Sequence, residues 1–70
     1  MTIDVRKLGQ NIKRLRMAQK LSQDDLARKA DLKFSNLAKL EGGFNINPTI
    51  STLIAVSQVL TGGSIDKLLK

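Results

Sequence analysis

The sequence predicts an all-α domain of five helices, and three observations carry that prediction. Apolar side chains recur at helical spacing. A residue able to cap a helix stands before four of the apolar stretches. Glycine pairs at Gly42-Gly43 and Gly62-Gly63 then close two of them. The 70 residues make one expected domain, 1–70, with no repeat, low-complexity segment or linker. That length is near the lower limit for a single hydrophobic core.

Val5, Leu8, Ile12 and Leu15 form one stripe of a first helix that Asp4 can cap and that should end near Gln19-Lys20. Arg6, Lys7, Lys13 and Arg14 lie off the stripe. From Leu21 to Gly43 the pattern is two short helices and a tight turn. Ser22 can cap the first of these, because its hydroxyl accepts a backbone N–H two or three residues on. Asp24 and Asp25 then suit the positive end of the helix dipole. This second helix runs from about Gln23 to Ala30, with Leu26, Ala27 and Ala30 as a narrow face that lets another helix come close. Asp31-Leu32 interrupts it, and Asp tolerates the left-handed backbone of a sharp turn. The third helix runs from about Lys33 to Glu41 and stops at Gly42-Gly43. After a glycine- and asparagine-rich loop to Pro48, Thr49 caps a fourth helix, with Ile50, Leu53, Ile54, Val56 and Leu60 expected to face the core. Ser64 starts a short terminal helix anchored by Ile65, Leu68 and Leu69.

Composition narrows the function. With 41% apolar residues and two aromatics, the core must be aliphatic. Cysteine and histidine are both absent, which removes disulfides, thiolate nucleophiles and the usual zinc ligands. Glu41 is the only glutamate and has no obvious carboxylate partner, so an enzyme has almost nothing to work with. No cofactor, metal or small-molecule substrate is expected. There is no run of eighteen apolar residues to span a membrane and no charged-then-apolar leader. The expected location is therefore the cytoplasm, on the nucleoid when bound. The net charge of +6 is unevenly placed. Residues 1–40 carry ten Lys and Arg against four Asp, whereas residues 41–70 are balanced. Net charge serves solubility in any small protein, but a basic half attracts polyanions at long range.

The segment LSQDDLARKADLKFSNLAKLEGG resembles the helix-turn-helix of lambdoid repressors (the Xre type, lambda repressor- and Cro-like), and the resemblance extends over nearly the whole chain. It implies a five-helix, lambda-repressor-like domain with the motif at helices two and three. Successive residues of a helix turn by about 100°. With Leu37 and Leu40 inward, Ser35, Ala38 and Lys39 point outward, and Phe34 and Asn36 lie on the flanks. The family's base-reading positions fall on Lys33, Phe34, Ser35, Asn36 and Lys39. Lys39 can donate to guanine O6/N7, Asn36 to an adenine edge and Ser35 to either, while Phe34 can pack on a thymine methyl. Equally, Phe34 can cover Leu26 or Leu37, and the polar three can be ordinary solvated residues. Lys33 replaces the Ser or Thr frequent in the family, so helix three lacks a side-chain cap there; the lysine can reach a phosphate instead. Gln23 sits at the amino end of helix two, which favours a phosphate. The matching glutamine in the family bonds both to the DNA backbone and to the start of helix three. Arg16 and Glu41 match positions of a structural ion pair between the first and third helices. Related repressors often have glycine at the end of helix one. Here Lys20 stands there, so a residue at that end takes an unfavourable conformation at a cost of roughly 1 kcal/mol. The loop after Gly43 often carries basic phosphate contacts in relatives. Here it is uncharged, and Asn45 and Asn47 are left as neutral donors.

The resulting expectation is a sequence-specific transcriptional regulator of double-stranded DNA, a repressor by resemblance, with helix three in the major groove. It should act as a homodimer on a two-fold operator, with the exposed side of the terminal helix near Ile65 to Lys70 as the expected contact. The alternative is a protein-interaction module of bridging-factor or antitoxin type that keeps the fold without specific DNA readout; the uncharged loop and Phe34 suit it.

Overall fold

The computed structural model describes residues 4–44 and 47–70, and every regular element among them is an α-helix. These are α1 (Val5–Ala18), α2 (Gln23–Lys29), α3 (Phe34–Glu41), α4 (Ile50–Leu60) and α5 (Ile65–Leu69). Side chains start four of them. Asp4 Oδ1 accepts the N–H groups of Arg6 and Lys7 at 3.1 Å each. Ser22 and Asp25 form a reciprocal capping box: Asp25 N donates to Ser22 Oγ (3.0 Å) and Ser22 N donates to Asp25 Oδ2 (3.1 Å). Thr49 and Ser64 accept from the N–H groups of Thr52 and Lys67. Helix α3 begins at Lys33 with no side-chain cap, so packing of Leu37 and Leu40 must hold its first turn.

Three helices end in the same way. Leu21 N donates to Arg16 O and Lys20 N to Met17 O; Leu32 N to Ala27 O and Asp31 N to Arg28 O; Phe44 N to Lys39 O and Gly43 N to Leu40 O. Each pair of bonds requires a left-handed residue just past the cap. Those residues are Lys20 (φ 59°), Asp31 (φ 56°) and Gly43 (φ 76°). Only at Gly43 is that conformation free of a side-chain penalty.

Leu8, Ile12, Leu26, Ala27, Ala30, Leu37, Leu40, Leu53, Val56, Leu60 and Leu68 make one buried cluster drawn from all five helices. Three expected core residues are exposed instead. Ile50 is 63% exposed and Ile54 42%, and Leu69 also faces out. On α4 the buried face is centred on Leu53 and Leu60, and the small Ser57 occupies its other side. Ser57 Oγ donates to Ile54 O (2.8 Å), which satisfies the hydroxyl and lets it enter while both isoleucines swing outward. In the short α5, Leu68 alone points fully inward.

Helix α1 packs against α3, α4 and α5. Asn11 Nδ2 donates to Leu68 O (2.9 Å) and Gln19 Nε2 to Leu60 O (2.8 Å), so α1 satisfies carbonyls at the ends of α5 and α4. Gly9 is buried where α1 crosses α3. A Cβ there would collide with the carbonyl oxygen of Leu40 and stand 2.7 Å from that of Glu41.

Candidate nucleic-acid interface

Burial of Leu37 and Leu40 fixes the roll of α3. Ser35, Asn36 and Lys39 are exposed as a consequence, and among the described residues no hydrogen bond or ion pair engages their side chains. Phe34 is 51% exposed, so half of its ring is available to a partner. Lys33 is exposed just before the helix. Lys33, Phe34, Ser35 and Asn36 wrap around the amino end of α3, with Phe34 and Asn36 on its flanks, and Lys39 stands about one turn beyond Ser35 on the outward side. With eight residues, α3 is about 12 Å long, comparable to the width of a B-DNA major groove.

A buried charge cluster holds this helix. Arg16 Nε donates to Glu41 Oε2 (2.8 Å) and Arg16 Nη2 to Glu41 Oε1 (3.1 Å). This is a bidentate pair between α1 and α3, and both side chains are almost fully buried. A further bond from Arg16 Nη1 to Leu21 O (2.7 Å) ties in the α1–α2 turn. Gln23 Nε2 donates to Glu41 Oε1 (3.1 Å). This corrects the expectation that Gln23 would reach the start of α3: it bonds to the last residue of that helix. The physical reason is the stronger acceptor, since a charged carboxylate lies within reach and Lys33 offers no oxygen-bearing cap. Glu41 thereby joins three helices through one side chain.

At the start of α2, bonds from the Ser22 backbone N–H and from its hydroxyl hold the Asp25 carboxyl below its ordinary value of 3.8, and Arg28 adds to this. Arg28 also pairs with Asp24, at 3.2 Å, so this cation is locally neutralised. Asn47 is exposed, while Asn45 and its neighbour Ile46 lie outside the described residues. Sequence reasoning did not find Gly9, which sets how closely α1 approaches α3, or Asn11 and Gln19, which tie α1 to α5 and α4.

No helix among the described residues is long and apolar enough to cross a membrane. The two packed helices joined at Asp31-Leu32, with the second presenting a polar face over a buried base, define a helix-turn-helix protein. Residues 12–68 match the sequence profile of the helix-turn-helix family. The chain belongs to that family, whose members are DNA-binding regulators rather than enzymes. Over 53 residues, 76% of the chain, it is 47% identical to the immunity repressor protein of Bacillus phage phi105. It spans about a third (36%) of that relative's length. Among solved structures it is similar to the restriction-modification controller protein C.AhdI from Aeromonas hydrophila. That match has a TM-score of 0.85 and 29% identity, and it covers 93% of this chain and 96% of the other.

Proposed function

We propose that this protein is a sequence-specific DNA-binding transcription regulator whose α3 enters the major groove. The observation that carries the reading is the division of α3 between the buried leucines and the exposed Ser35, Asn36 and Lys39. Lys39 reads guanine, Asn36 adenine, Ser35 either, and Phe34 a thymine methyl. Lys33 and Gln23 position the domain on phosphates, and Asn47, with Asn45, adds neutral contacts. Gln23 suits that role because only one of its two amide N–H groups is needed by Glu41. The kinship to a phage repressor and a controller protein supports regulation of transcription.

Two copies act on a two-fold operator, because one small domain offers too little interface for tight specific binding. The exposed apolar side chains Ile50 and Ile54 on α4 and Leu69 on the adjoining α5 support pairing on that side.

The test is a fluorescence anisotropy titration on random-sequence duplex DNA at rising salt, followed by selection of preferred sites from a random pool. Binding should be measurable at about 50 mM salt and weaken steadily as salt increases. Lys39→Ala should relax preference at one base position, whereas Gln23→Ala should weaken binding to all sequences alike. No binding even at that salt would refute the reading and favour a module that docks a protein.

A further inference from the structure

The segment from Gly42 to Pro48, directly after α3, has no charged side chain. Yet its first residues, Gly42 to Phe44, leave the end of a helix about as long as the groove is wide, where a phosphate ridge would run. We propose that Arg6, from the first turn of α1, is the phosphate contact at this place; this rests on the DNA-binding reading above.

Gly43 packs directly on Arg6. A Cβ added at Gly43 would stand 3.2 Å from Arg6 Cγ and 3.3 Å from its Cα. The stem of the arginine therefore lies along the backbone of the turn that leaves α3. One turn further along α1, Gly9 meets the carbonyls of Leu40 and Glu41. The first two turns of α1 thus run against the carboxyl end of α3.

Helical phase then sorts the cations of α1. At about 100° per residue, Arg6 and, two turns on, Lys13 stand at the edge of the side that carries Gly9 and Arg16, the two residues that touch α3, and Arg6 is the one placed against Gly43. Lys7 and Arg14 fall on the opposite side with Asn11, which bonds to Leu68 of α5, and Arg14 itself donates to Asn11 Oδ1. Among the described residues no carboxylate pairs with Arg6. The oxygen of Asp4 takes the N–H groups of Arg6 and Lys7, while Arg16, Arg28 and Lys70 each have acidic partners. A guanidinium without an acidic partner, beside a glycine turn, suits a bidentate bond to a phosphate.

A purely structural alternative also exists, because a cation near the carboxyl end of α3 stabilises the helix dipole. Salt dependence separates the two. Arg6→Gln keeps the methylene groups that lie on Gly43, and Lys7→Gln removes the same charge one residue away. Both variants and the natural protein would be titrated with random-sequence duplexes from about 50 to 200 mM salt, with thermal melts recorded alongside. Arg6→Gln should reduce the slope of log affinity against log salt by about 0.9 per bound protomer. Lys7→Gln should leave that slope in place. Equal changes in the two variants would make Arg6 mere background charge and overturn the proposal. So would an unchanged slope with only a lower melting temperature in Arg6→Gln. If the natural protein itself failed to bind DNA, the functional reading would fall first, which keeps the two failures apart.

Discussion

Replacing Gly9 with alanine sets two effects of opposite sign against each other. In an exposed helix interior the change would stabilise by roughly 0.8–1 kcal/mol, because alanine has the higher helix propensity. Here the new methyl group meets two backbone carbonyls of α3, with the Glu41 oxygen at 2.7 Å. Backbone cannot rotate aside as a flexible side chain can, so α1 and α3 must separate by several tenths of an ångström. Overpacking of this kind costs typically 1–3 kcal/mol and occasionally more. The shift also pulls on the Gly43 N to Leu40 O bond, already 3.3 Å long, and on the Arg16–Glu41 pair that spans the same two helices. The expected result is a net loss of about 2 kcal/mol. For a domain of this size that lowers the melting temperature by roughly 8–16 °C. Thermal unfolding followed by circular dichroism at the helix band reads this directly, with Gln10→Ala as a control on the exposed face of the same helix. A Gly9→Ala protein as stable as the natural one, or more so, would refute the close approach of α1 and α3.

Three further outcomes are expected. Lys20→Gly should raise the unfolding free energy in urea by about 0.5–1 kcal/mol, since it relieves a left-handed lysine and offsets that with a more flexible unfolded chain; Asp31→Gly should gain less. Glu41→Ala strands the buried Arg16 guanidinium and should cost about 3–5 kcal/mol in the same assay, whereas pairing Glu41→Leu with Arg16→Met should recover most of the loss. Asp25 has a folded value below its ordinary one, so its support is present above about pH 4 and is lost as pH falls through the depressed value. Melting temperatures from pH 5 to about 2.5 should therefore fall less steeply for Asp25→Asn than for the natural protein.

Local chemistry was legible in the sequence. The caps at Asp4, Ser22, Thr49 and Ser64 depend on side chains that reach only two or three residues, and so does the missing cap at Lys33. The strained end of α1 could be foreseen for the same reason, and the structure identifies Lys20 as the residue that carries it. Facts that depend on a second helix were not legible. Ile50 and Ile54 have the right spacing for a core, but spacing does not say which edge of a stripe the neighbours will cover. A satisfied serine took the place that apolarity alone would assign to isoleucine. Gly9 carries no periodic signal, because its function is to be absent between two backbones. Gln23 went to the far end of α3 because the deciding partner, Glu41, is eighteen residues away in sequence and becomes its neighbour only on folding. In sequence Arg6 is one more surface cation, and its contact with Gly43 exists only in the fold.

Glu41 is buried, so the bonds it takes from Arg16 and Gln23 lie away from the exposed face of α3. Among the described residues, Ser35, Asn36 and Lys39 use none of their polar side-chain atoms to maintain the fold, and Phe34 leaves half of its ring in solvent. Substitutions at such positions usually change stability by no more than about 0.5 kcal/mol. The scaffold and the exposed face of α3 are therefore separable inheritances. On the proposed DNA-binding reading, a lineage carrying this domain can rewrite those four letters and acquire a new target while Arg16, Gln23 and Glu41 keep the helix in place.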